Sequence, residues 1–86
     1  MIVIYGKPAC AFCDAAKNLL NSKGIPYEYR QLGADFTVEE LKEIAPRASS
    51  FPQIFVDGQN IGGFEQLRVK VGLIEGFGSN PDVLLG

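Results

Sequence analysis

The chain has 86 residues, 47% of them hydrophobic, with 8 basic and 10 acidic side chains for a formal net charge of -2. That length holds one domain with a modest core. The basic residues are scattered without a run, which excludes a nucleic-acid surface, and no apolar stretch approaches the ~20 residues of a membrane-spanning helix. With no repeat, low-complexity segment or linker, residues 1–86 are read as a single domain.

Met1-Ile2-Val3-Ile4-Tyr5 is a continuous apolar run bounded by Gly6 and Pro8, the pattern of a central strand buried on both faces. Over residues 10–23, Phe12, Ala15, Ala16, Leu19 and Leu20 fall at helical spacing on one face, and Gly24 with Pro26 supplies the stop. Residues 27–32 read as a second strand, with Tyr27 and Tyr29 on one face and Glu28 and Arg30 on the other. Thr37-Val38-Glu39-Glu40 has capping-box spacing. It opens a short helix that carries Val38, Leu41, Ile44 and Ala45 inward until Pro46 ends it.

Gln53-Ile54-Phe55-Val56 and Gln59-Asn60-Ile61 flank Asp57-Gly58, a two-residue hairpin signal. After Gly62-Gly63, a third helix from about Phe64 carries Leu67, Val71 and Ile74 at helical spacing. The order β-α-β-α-β-β-α predicts an α/β, thioredoxin-like fold: a mixed four-stranded sheet flanked by three helices. Strand, helix and strand in this order build a parallel pair, which sets the N-terminus of the first helix at the carboxyl end of the first strand.

At that junction stands Cys10-Ala11-Phe12-Cys13, which holds both cysteines of the chain. Two thiols at this spacing in the first turn of a helix are close enough to form a disulfide. The upstream sulfur meets the unpaired N–H groups and positive dipole end of the helix, which favour thiolate over thiol. A thiolate is the nucleophile of disulfide exchange, so Cys10 is expected to attack and Cys13 to resolve. A structural disulfide suits a secreted, cysteine-dense chain, whereas here the apolar run at Met1 has no charged leader. A zinc site needs about four ligands, and the chain has no histidine and no second cysteine pair, so no metal is expected from these residues. Two inert buried cysteines are the remaining alternative to a redox pair.

Two further segments bear on the site. In Ser50-Phe51-Pro52-Gln53 a proline opens a strand, where its missing N–H removes no ladder bond and a cis peptide is tolerated. If that peptide is cis, the backbone N–H and C=O of Phe51 turn toward the cysteines and can pair with an extended peptide. An ordinary trans proline at a strand start is the alternative. Gly62-Gly63-Phe64-Glu65 lets backbone approach a ligand and ends in a helix N-terminus suited to a carboxylate, or else is a plain hairpin-to-helix turn.

Together these residues resemble the glutaredoxin family, in particular the short dithiol type of bacteria and their phages. The likeness rests on Lys7 three residues before the C-x-x-C pair, on residues 51–58 (Phe-Pro-Gln-Ile-Phe-Val-Asp-Gly), on residues 61–67 (Ile-Gly-Gly-Phe-Glu-Gln-Leu), and on the tail Asn80-Pro81-Asp82-Val83-Leu84-Leu85. The resemblance implies glutathione as reductant and co-substrate. Cys10 would form the mixed disulfide and Cys13 would resolve it. It further implies that Lys7 lies near the glycyl carboxylate, with Arg47 assisting, and that Phe12 keeps a hydrophobic wall where the family usually has Tyr. Phe51, before Pro52, would pair its backbone with the cysteinyl unit; Gly63, Phe64 and Glu65 would hold the γ-glutamyl end.

Ala11 departs from the proline common between the cysteines. Related glutaredoxins with a small non-proline residue there can carry a glutathione-ligated [2Fe-2S] cluster between two protomers, which stands as the alternative function. Ser50-Phe51 replaces the common Thr-Val pair. The resemblance implies a cytoplasmic, monomeric oxidoreductase that reduces protein disulfides and glutathione mixed disulfides, with ribonucleotide reductase among the partners it suggests and neither nucleic acid nor membrane.

Overall fold

The computed structural model describes residues 1–79, with side chains through residue 72. Its strands are β1 (Ile2–Gly6), β2 (Tyr27–Gln31), β3 (Gln53–Val56) and β4 (Gln59–Gly62); its helices are α1 (Ala11–Lys23), α2 (Val38–Ile44) and α3 (Phe64–Ser79). They follow one another in the order read from the sequence and form one four-stranded sheet, β2-β1-β3-β4. β1 runs parallel to β2 and antiparallel to β3, with Ile4 opposite Tyr29 on one side and Ile54 on the other. β3 and β4 close the antiparallel hairpin around Asp57-Gly58. The chain thus adopts the thioredoxin-like fold.

Alternation along the central strands divides the core in two, because successive side chains of a strand point to opposite faces. Ile4 and Ile54 join Ala16, Leu20, Leu67 and Val71, all buried, between the sheet and helices α1 and α3. Tyr5 and Phe55 face the other way and pack with Phe36, Leu41, Ala45 and Ala48. There the Tyr5 ring meets Phe36 and Phe55 edge-on, at 4.9 and 5.3 Å between centroids. Edge-to-face pairs of this kind contribute beyond their buried area. Tyr27 and Tyr29 pack against the first core, as their alternation required.

Several expectations need correcting. Val38 and Ile44 of α2 are not inward: they are 46% and 48% exposed, while Leu41 and Ala45 are buried. A helix of seven residues makes two turns and presents one narrow stripe, which Leu41 and Ala45 fill; Val38 and Ile44 end up on the rims of two surface hollows. Phe12 leaves the apolar face of α1 and is 63% exposed. β2 stops at Gln31, with Leu32 making only an isolated bridge to Phe36. The capping box of Thr37 forms as read: Glu40 donates its N–H to the Thr37 hydroxyl, and the Glu40 carboxylate accepts the N–H of Thr37. The side chain of Ile74 and the tail at 80–85 lie outside the described residues. Among the described residues, no helix is long and apolar enough to cross a membrane.

Candidate active site

β1 ends at Gly6, and Lys7-Pro8-Ala9 turns the chain, with Ala9 in the left-handed region at φ 55°, so that α1 starts above the carboxyl end of the strand. Cys10 is not the first helical residue but the N-cap, extended at φ -116°. Its Sγ accepts the backbone N–H of Cys13 at 3.1 Å, and its carbonyl accepts the N–H of Asp14. The sulfur therefore occupies the place that a Ser or Asp oxygen takes in ordinary caps. The two cysteines are joined as a disulfide, with Cα atoms 5.2 Å apart. Cys13 is fully buried at 0% exposure, whereas Cys10 retains 8%. On reduction, the N–H that Sγ accepts becomes a charge-assisted bond to a thiolate, which favours ionisation of this sulfur over the other.

Residues from three distant parts of the sequence meet pair by pair. The Lys7 Nζ stands over the Phe51 ring, 5.8 Å from its centroid. Phe51 precedes Pro52 through a cis peptide bond, as the conditional reading required, and its ring leans on Phe36 at 6.3 Å. Pro52 is buried, and its carbonyl oxygen lies against Gly63, where an added β-carbon would stand 3.4 Å away. Phe64 follows Gly63 and stacks on Phe12, with centroids 6.0 Å apart and planes 26° apart. Phe12 lies between the two cysteines in sequence, so the path returns to where it began. Lys7, Phe51, Pro52, Gly63, Phe64 and Phe12 thus form a continuous series of neighbours whose two ends stand, in sequence, three residues before Cys10 and between the two cysteines.

The remaining site candidates stand apart from that series. Glu65 is exposed and paired with Arg68 one turn on, and this bond to the carboxylate raises the guanidinium pKa above its ordinary value. Arg47 is exposed on the loop after α2 and makes no hydrogen bond or ion pair with another described residue. The backbone N–H of Gly63, expected to be open to a carboxylate, is already used: it donates to Gln66 Oε1 at 2.9 Å. Gln66 stands in the motif at 61–67 without a role of its own assigned there. Its signal was present, because Gln at the third helical position after Gly63 is half of a capping box. Among the described residues, no group of three or more His, Cys, Asp or Glu side chains is arranged to hold a metal ion.

A two-cysteine disulfide at the N-terminus of the first helix, on this sheet order, defines a thiol-disulfide oxidoreductase of the thioredoxin-like class. The Glutaredoxin family model matches residues 2–61. The chain is 38% identical over 68 residues to glutaredoxin 3 of Escherichia coli K12, covering 77% of this chain and 80% of the relative. It is 41% identical over 67 residues to the hybrid peroxiredoxin hyPrx5 of Haemophilus influenzae; that match takes in 78% of this chain but 27% of the much longer relative. Among solved structures, the reduced glutaredoxin of Escherichia coli superposes with a TM-score of 0.64 at 35% identity, over 83% of this chain and 92% of the other. The chain belongs to the glutaredoxin family.

Proposed function

We propose that this protein is a glutathione-dependent oxidoreductase that reduces protein disulfides and glutathione mixed disulfides, acting as one cytoplasmic domain over residues 1–86. The observation that carries the reading is the series of neighbours that runs from Lys7 through Phe51, Pro52, Gly63 and Phe64 to Phe12, between the cysteines in sequence. In support of it, the series holds a cation at Lys7 over Phe51, an apolar pair at Phe12 and Phe64, and a helix N-terminus at Gly63, in a chain whose Cys10 sulfur is itself a helix cap. Glutathione carries two carboxylates, one amine and one thiol, so a selective site needs separated partners for each. Lys7 suits the glycyl carboxylate, the N–H groups at Gly63 and Phe64 the γ-glutamyl carboxylate, and Glu65 the ammonium. The Phe51 backbone suits the cysteinyl unit.

In the proposed reaction, the Cys10 thiolate attacks the glutathionyl sulfur of a mixed disulfide. The Cys10–glutathione bond forms as the old S–S bond breaks, and the departing protein thiolate takes a proton from water. A second glutathione thiolate then attacks the adduct, releasing glutathione disulfide and restoring the Cys10 thiolate. With a protein disulfide the adduct holds the protein, and Cys13, once deprotonated, displaces it to leave the Cys10–Cys13 disulfide. Two glutathione molecules reduce that bond and depart as glutathione disulfide.

The test is reduction of a glutathionylated peptide by the pure protein, with electrons supplied either by glutathione and glutathione reductase or by thioredoxin reductase. Turnover with the glutathione system and none with thioredoxin reductase is expected. The reverse preference would assign the site to another electron source.

A further inference from the structure

We infer that Gln53 is a positioning residue: its side-chain amide holds the Ser50 carbonyl, so that the Phe51 N–H is aimed outward to receive the peptide backbone of a disulfide substrate, and Asn60 in turn holds Gln53. This role rests on the reading of Phe51 as a backbone clamp and deepens it. Gln53 opens β3 and is the one buried amide or charged side chain among the described residues, at 7% exposure. A buried amide without partners is costly, and this one has a partner at each end. Its Nε2 donates to the Ser50 carbonyl at 2.9 Å, and its Oε1 accepts from Asn60 Nδ2 at 3.2 Å.

The contact with Asn60 goes with an irregularity in the hairpin. Ile54 stands opposite Gly62 but Phe55 opposite Asn60, so β4 carries one extra residue, Ile61, between them. Bulges of this kind re-aim side chains. Asn60, with two amide hydrogens, also donates to the Ile54 carbonyl at 3.1 Å, which anchors it to β3. The contact with Ser50 acts through the peptide plane. The Ser50-Phe51 bond is trans, so its C=O and N–H point in opposite directions. Fixing the oxygen on Gln53 therefore fixes the N–H on the far side of that plane. Neither the N–H nor the carbonyl of half-buried Phe51 bonds to another described residue, which leaves both to an extended peptide.

Single-turnover reactions of the reduced protein, without glutathione, test this. One substrate is the symmetric disulfide of the blocked tripeptide acetyl-Ala-Cys-Ala-amide, which offers backbone on both sides of its sulfur. The other is bis(2-hydroxyethyl) disulfide, which has none. Each reaction forms the Cys10–Cys13 disulfide and releases two substrate thiols. The readout is the ratio of second-order rate constants, peptide over hydroxyethyl. Gln53→Met loses both bonds and Gln53→Glu loses the donor; each should lower the ratio about two- to tenfold, the worth of one hydrogen bond, with the hydroxyethyl rate unchanged. Asn60→Ala should lower it less and add nothing in a Gln53→Met background. Asn60 is exposed, so its variant decides by the same ratio if the buried substitutions prevent folding. An unchanged ratio in the folded variants, or a fall in both rates together, makes Gln53 a part of the fold only and overturns the inference. A parent ratio no higher than that of dithiothreitol, which has no clamp, removes the role of Phe51 and the inference with it. Because glutathione takes no part, the ratio can fail while turnover with glutathione and glutathione reductase stands, and the reverse.

Discussion

The sulfur of Cys10 accepts the backbone N–H of Cys13 at 3.1 Å, so one atom is at once half of the disulfide and the cap of α1. This separates Cys10→Ser from Cys10→Ala, although neither can form the disulfide. A serine hydroxyl can still accept the N–H at the third helical position and an alanine methyl cannot, so the alanine variant should be less stable by about 0.5–2 kcal/mol. Urea unfolding of the two variants measures the difference, and equal midpoints would contradict the capping role.

The same contact bears on ionisation. In the reduced protein Cys10 should lose its proton at lower pH than Cys13, which is fully buried and lies within the first turn. Thiolate absorbance followed against pH on the two single Cys→Ser variants reads each sulfur separately. Coincident titration curves would remove the asymmetry between attacking and resolving thiol.

Gly6 is fixed by the ring across the sheet. A β-carbon there would fall 2.2 Å from the Tyr29 hydroxyl and 2.7 Å from two ring carbons, and the Lys17 Nζ stands over that ring at 4.2 Å from its centroid. Gly6→Ala should therefore destabilise the fold by about 1–3 kcal/mol, the usual range for overpacking. Adding Tyr29→Ala should return part of that loss, since the two substitutions act on one contact. Additive effects in the double variant would show that the clash is not the cause.

Lys7 contributes an exposed charge beside Phe51. Exposed ion pairs contribute little and are screened by salt, so Lys7→Ala should raise KM for a glutathionylated peptide only about 1.5- to 5-fold. The variant should also lose part of the salt dependence that the parent shows. Parallel kinetics at low and high ionic strength decide this, and identical salt dependence in both proteins would take Lys7 out of the recognition of glutathione.

What could be read from the sequence was whatever depends on neighbours in the chain. Ile4 beside Tyr5 gave a strand buried on both faces, Asp57-Gly58 gave the hairpin, and Thr37 with Glu40 gave a helix start, each a matter of a few residues. Cys10 and Cys13 were legible as a pair because helix geometry fixes their spacing. The errors came where packing decides. Val38 and Ile44 are as apolar as Leu41, but a two-turn helix has room to bury only its central stripe. Phe12 has the spacing of a core residue, yet it turns out to stack on Phe64, which stands 52 residues further along the chain. The self-contact of Gln66 was visible only as half of a capping box, and its position at the site follows from where α3 begins relative to Pro52.

Mass spectrometry of the Cys13→Ser protein after a single exposure to a glutathionylated peptide tests the central claim most directly. With the resolving thiol gone, the first exchange should stop at a glutathione adduct on Cys10, with the peptide released as a free thiol; addition of glutathione should then clear the adduct and restore turnover. Cys10→Ser, which lacks the only proposed nucleophile, should take up no glutathione and show no activity. An adduct carrying the peptide instead of glutathione, or a Cys13→Ser protein as inert as Cys10→Ser, would contradict a site built to take the glutathionyl half of the disulfide through Cys10.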